Sequence, residues 1–185
     1  MLKVLGGFVA GLLVLGLTLW NAASHLMFTE RESPFGLEET VARIQANIVA
    51  QKDKGWSLSG LRNPARAVNQ AGGNVLPVMM VEACSPHYSK PILKDDTTRF
   101  LSILMPCKVT VYKKNDGKVY IGMMNAALVG KLFGATVGGV MAQVAQDQAK
   151  FVEFDPSKPA PPLIQGTEGG GSGSGGSGPG GGGGC

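Results

Sequence analysis

The chain has 185 residues and a formal charge of +4, with 17 Lys and Arg against 13 Asp and Glu, enough for one ordinary domain plus extensions. Its basic residues are scattered and interrupted by acids, as in Lys94-Asp95-Asp96 and Lys113-Lys114-Asn115-Asp116. Phosphate binding favours a clustered basic face, so no nucleic-acid partner is expected. The first 28 residues are mostly apolar, and residues 166–185 are dominated by glycine; between them, residues 29–156 are enough to bury a single hydrophobic core.

Residues 4–28 contain no Asp, Glu, Lys or Arg. About 20 such residues in a helix span a hydrocarbon core, so residues 1–28 are predicted to form a transmembrane anchor that meets the bilayer through 4–27. Trp20 stands where an interfacial aromatic would hold the far end. Lys3 supplies a positive near flank, and the far flank, Glu30-Arg31-Glu32, has no positive excess. The positive-inside rule then predicts a single-pass protein of the inner (cytoplasmic) membrane with its domain facing the periplasm or exterior. A cleaved signal peptide is the competing expectation, with Met1-Leu2-Lys3 as its n-region and Ala22-Ala23-Ser24 as the cleavage site. Either reading puts the domain outside the cytoplasm. Gly7 and Gly11 fit a small-xxx-small helix-pairing pattern, although ordinary membrane-helix glycines read the same way.

An extended stretch is expected near residues 27–32. Ser33-Pro34 then offers an N-cap followed by a first-turn proline, and Leu37, Val41, Ile44 and Ile48 recur at helical spacing. Glu38, Glu39, Arg43 and Gln51 lie away from that stripe, and Gly55 is a plausible C-cap. Residues 56–68 read as a strand broken at Asn63-Pro64, and residues 75–83 as a buried strand. Cys107, Val109 and Val111 alternate with polar neighbours, as do Val119, Ile121 and Met123. Asn115-Asp116-Gly117 between them predicts a hairpin, because Gly tolerates the positive φ of a tight turn.

Residues 125–151 read as helical. Gly122, Ala126, Gly130, Gly134, Gly138 and Ala142 recur every four residues, and residues 126–144 carry one charge, Lys131. A second membrane span would place that lysine at a cost of about 2.5–3.5 kcal/mol near the bilayer centre. A helix laid closely on a sheet uses the same small residues, and that reading is preferred. Residues 157–185 are predicted to be a tail, stiff and proline-rich at first, then a flexible Gly/Ser tether ending in a free thiol at Cys185.

With these elements placed, residues 29–154 resemble the domain-of-unknown-function 302 family. The resemblance is carried by Ala83-Cys84-Ser85-Pro86 at a strand end and by Leu104-Met105-Pro106-Cys107-Lys108-Val109-Thr110-Val111-Tyr112. Met123-Met124-Asn125 and Lys131-Leu132-Phe133-Gly134 lead into the last helix in the same manner. The chain departs from the family at Ser85, where asparagine is usual, and in the tether. The resemblance implies an α+β fold, an antiparallel sheet packed against helices in a TATA-box-binding-protein-like β-α-β4-α arrangement. Homodimers are compatible with it, and no agreed activity comes with it.

In that fold Cys84 and Cys107 lie near one end of the sheet, and three readings stay open. They form a disulfide, as nearby cysteines tend to do outside the cytoplasm; or they are separate buried thiols packing as small hydrophobes; or they form a redox-active or soft-metal pair. In the last case His87 is a third ligand, and Met79, Met80, Met105, Met123 and Met124 suggest Cu(I). No Gly-x-Ser-x-Gly elbow or phosphate-binding glycine loop is present, so catalytic residues are not assigned and an enzyme is not expected. Glu82 on its buried strand is expected to face solvent or pair with a cation. The function expected is a membrane-anchored periplasmic binding or assembly module for a small apolar ligand or a partner protein. The alternative is a thiol-based redox or copper- or haem-binding protein using Cys84 and Cys107. The sequence itself requires no cofactor.

Overall fold

The computed structural model describes residues 26–165 together with 11, 14, 16 and 17. Most of the predicted anchor, the small-xxx-small pair and the glycine-rich tail with Cys185 lie outside the described residues. Among the described residues, no helix is long and apolar enough to cross a membrane.

In chain order the elements are β1 (Phe28–Glu32), α1 (Leu37–Val49), β2 (Ser57–Arg62), α2 (Pro64–Gln70), β3 (Val78–Cys84), α3 (Pro86–Lys94), β4 (Cys107–Lys113), β5 (Val119–Met124), α4 (Ala126–Lys131) and α5 (Gly134–Phe151), with 3-10 turns at Lys52–Lys54 and Arg99–Leu104. The strands form one sheet in the order β1-β5-β4-β3-β2, antiparallel at every pairing. This is the expected α+β class, an antiparallel sheet packed with helices.

The register follows from period-two patterning. Val81 faces Val109, and Val111 faces both Met79 and Ile121, which collects the apolar side chains of three strands on one face. Val81, Val109 and Val111 are wholly buried there, beneath Val41, Ile44 and Ile48 of α1 and Val137, Val144 and Phe151 of α5. Each such side chain stabilises by about 1.5–3 kcal/mol relative to exposure. The predicted hairpin forms with Gly117 at φ +81°, and Lys118 N donates to Asp116 at 2.9 Å.

Several boundaries differ from expectation. Ser33 does not cap α1: Gly36 holds that position, while the Ser33 hydroxyl accepts from Phe35 N at 3.3 Å and lies 2.6 Å from the Thr40 hydroxyl. Gly55, at φ +78°, ends the 3-10 turn after the helix rather than α1 itself. The break at Asn63-Pro64 begins a helix, because the Asn63 side chain accepts from Arg66 N at 2.8 Å and proline fits the first turn.

Arg43 and Gln51, expected on the exposed side, are buried. Arg43 donates to the carbonyls of Asp155 and Lys158 at 3.1 and 2.8 Å. Gln45 exchanges two hydrogen bonds with the backbone of Ile164, at 2.8 and 2.9 Å. The proline-rich segment therefore returns along α1 instead of leaving the domain.

The glycine stripe explains the final helix pair. Gly134, at φ +84°, turns the chain between α4 and α5, so the expected single helix is two. A Cβ on Gly130 would lie 2.4 Å from the Met141 Cβ, and one on Gly138 would lie 3.6 Å from the Gly130 carbonyl oxygen. The small residues thus serve helix-on-helix approach as well as packing on the sheet.

Candidate functional site

Alternating strand directions place the end of β3 and the start of β4 at the same end of the sheet, where Ala83 faces Cys107. Residues 85–106 hang from this end as α3 and a 3-10 turn, closing over a cavity of about 40 Å³. Its walls include Trp56, Ile92, Leu101, Leu104, Val137 and Met141, and the rim of α3 adds Ser85, Tyr88 and Ser89. α3 starts after Ser85, which holds the N-cap position without a side-chain capping bond, and Pro86 fits its first turn. The Ser85 hydroxyl donates to Lys54 O at 3.0 Å, and Ser89 donates back to Ser85 O at 3.0 Å.

One wall of the cavity leads to a buried carboxylate. Asp147 of α5 is 2 % exposed. It accepts from Trp56 Nε1 at 3.0 Å, from the Tyr88 hydroxyl at 2.8 Å and from Lys54 Nζ. Trp56 packs edge-on to Phe151 at 4.9 Å and lies 5.6 Å from Tyr88. Burial pushes the Asp147 carboxyl upward, but the hydrogen bonds from Lys54, Trp56 and Tyr88 outweigh it and hold the group below its ordinary value. The same arrangement pushes Tyr88 up to about 12, by burial first and then by its bond to the carboxylate. With three donors on its two oxygens, the carboxylate is held in its ionised form. It joins α5, α3 and the start of β2, and it is poorly placed to abstract protons.

Of the three readings left open for Cys84 and Cys107, a bridge between the two is not formed. Cys107 is a free thiol. Its ladder partner is Ala83 rather than Cys84, and successive side chains leave a strand on opposite faces, so the two sulfurs start out of phase. Cys84 lies 3.7 Å from the Ser89 hydroxyl and has bonding of its own apart from Cys107. Burial pushes the Cys107 thiol up to about 11, against a smaller opposing effect of Lys108. It is therefore protonated at neutral pH, whereas thiol exchange and metal ligation use the thiolate.

His87 is exposed, with its ring 5.1 Å from that of Tyr88. Among the described residues, no three His, Cys, Asp or Glu stand together as a metal-holding group, so Cys84, His87 and Cys107 are not assembled as ligands. The methionines divide between the two faces of the sheet, Met79 in the core and Met80 on the neighbouring position of the strand, as apolar filler does. Glu82 pairs with Arg62 at 3.4 Å. Sequence reasoning missed Asp147, although the signal was present: the residue falls within the buried stripe Val137, Met141, Val144, Phe151.

This is a small α+β domain built on a five-stranded antiparallel sheet, with an apolar cavity at one end. The chain belongs to the family described as Domain of unknown function DUF302, whose pattern matches residues 29–153. No curated protein matches it. Among solved structures it is similar to the crystal structure of an uncharacterized conserved protein DUF302 from Bacillus stearothermophilus. The two are 21 % identical, with 69 % of this chain and 96 % of that one covered and a TM-score of 0.59. At that identity the likeness establishes the fold alone.

Proposed function

We propose that the chain is a membrane-anchored binding or assembly module, with its domain on the periplasmic or exterior side and its cavity taking a small apolar group. The observation that carries this reading is the apolar cavity of about 40 Å³ between the sheet end and the α3 cover. A drug-sized ligand needs roughly 300–1,000 Å³. The occupant is therefore a narrow apolar group, such as the end of an alkyl chain, or one that displaces the 3-10 turn Arg99–Leu104 as it enters. Residues 4–28, free of charged side chains, support the anchor. The finer description of the fold as TATA-box-binding-protein-like is part of this proposal. The order β1, α1, β2 to β5, α5 supports it, with α2, α3 and α4 as insertions.

Trp56 lines the cavity and is one of two tryptophans, so Trp20→Phe leaves it as the only one. Titrating that detergent-solubilised chain with decanol should give a saturable change in Trp56 emission. Val140→Phe, which adds volume to the cavity wall, should abolish the saturation without changing the circular dichroism. An emission change that is linear in decanol and identical in both chains would refute the binding reading. A reporter fused after Gln165 and active only in the cytosol would refute the orientation.

A further inference from the structure

The end of the sheet that carries the cavity also carries exposed apolar side chains that the fold does not use. Phe100 is 63 % exposed, Ile103 81 %, Leu132 69 % and Phe28 59 %. They are contiguous. Phe100 lies 6.2 Å from Phe133 at the α4–α5 turn, and Ile103, Phe28 and Met124 share one groove. Topology explains the clustering, since β1 starts, β3 ends, β4 starts and β5 ends at this side of the sheet. The connections 85–106 and 125–133 therefore meet around the point where the chain enters β1. Asn125 fastens that entry, its backbone N donating to Met27 O at 2.8 Å and its side chain to Leu26 O at 3.0 Å.

What covers these side chains is indicated by what precedes them. The uncharged segment 4–28 runs directly into β1 at this end. Lys131 adjoins Leu132, and Lys108 lies in the groove with Phe28 and Ile103, where the one acid, Glu30, is bonded to Lys114. Asp96, an acid beside this face, is held by Arg99 at 2.5 Å. At the opposite end the hairpin presents Lys114, Asp116 and Lys118 instead. Apolar side chains bordered by lysine suit the interface of an anionic bilayer.

We infer that this end of the domain lies against the lipid surface, with Phe100, Ile103, Leu132 and Phe133 entering the headgroup region beside the anchor. The inference rests on the membrane-anchored reading and goes beyond it. An anchor alone leaves the domain free to tumble, whereas this face fixes its orientation and turns the cavity towards the acyl chains.

The full chain, reconstituted into phosphatidylcholine–phosphatidylglycerol vesicles doped with an acyl-chain diazirine phospholipid, tests this. Flotation reads the anchor; photolabelled positions, located by mass spectrometry, read the face. Labelling should appear within 4–27 and also at 99–104 and 131–134, and should be absent from 114–118. Phe100→Ser, Ile103→Ser and Leu132→Ser together should lower labelling of the face to the level of the hairpin while labelling of 4–27 persists. A chain that floats and labels only within 4–27 overturns the inference and leaves the anchored reading standing. A chain that does not float overturns both. Equal labelling of the hairpin overturns it as well.

Discussion

The two ends of the sheet solve the same problem, holding charged groups in place, by opposite means. At the hairpin end, Glu30 bonds Lys114 and Tyr112 and Glu32 bonds Lys118, while Tyr112 stacks on Tyr120 at 6.2 Å, all near solvent. At the cavity end a single carboxylate, Asp147, is withdrawn from water and bonded by three donors. Solvent competes for every bond in the first group, whereas in the second it reaches the partly exposed Lys54 but not the buried Trp56. The count of ion pairs is therefore a poor guide to their worth, and burial decides it.

The largest effect expected is from Asp147→Ala, which leaves the Trp56 N–H and the Tyr88 hydroxyl without their acceptor. A loss of about 2–5 kcal/mol is expected from the two unsatisfied donors, read as a lower urea midpoint by circular dichroism; a loss near zero would erase the contrast between the ends. Next comes Gly130→Ala, whose Cβ would stand 2.4 Å from the Met141 Cβ and should cost about 1–3 kcal/mol by prising α4 from α5. Gly139→Ala, which meets nothing within 4 Å, should stabilise by about 0.5–1 kcal/mol through helix propensity. Both are read in the same denaturation experiment.

Titration sharpens the comparison. The folded Asp147 carboxyl lies below its ordinary value of 3.8, so its contribution is complete above that pH and is lost as pH falls through the folded value. The stability gap between the wild-type chain and Asp147→Asn should narrow in acid. Tyr88 behaves in the reverse sense. Its folded value of about 12 exceeds the ordinary 10.0, so its neutral form stabilises fully below pH 10 and that stabilisation is lost between 10 and 12. Tyr88→Phe should flatten this alkaline limb of the urea midpoint. The smallest effect belongs to Glu30→Gln at the hairpin end, which should cost less than about 1 kcal/mol and should fade in high salt. A larger, salt-resistant loss would mean that this end is less solvated than its exposure implies.

The strands and the main helices were legible because each carries a period. The alternation through Cys107, Val109 and Val111 and the spacing through Val41, Ile44 and Ile48 report directly on which face is buried. The hairpin was legible because one glycine had to take a positive φ. What stayed hidden depends on contacts made at a distance. Arg43 reads as a solvent residue until the returning carbonyls of Asp155 and Lys158 are known. Ser33-Pro34 reads as a helix start until Thr40 takes up the serine. Cys84 and Cys107 invite a bridge that the register sets out of phase. The site was the least legible part, because its polar centre comes from α5 while its donors come from Lys54, Trp56 and Tyr88, far away in sequence.

The outer strand β1 has a consequence for assembly. It lies at the margin of the sheet, with one side unpaired, and all five of its residues are exposed. Were two copies to join these margins antiparallel about Arg31, the guanidinium would meet its own twin, and Glu30 of each copy would oppose Glu32 of the other. Like charges directly across a ladder are destabilising. In that register the strand therefore disfavours continuation of the sheet into a copy of itself.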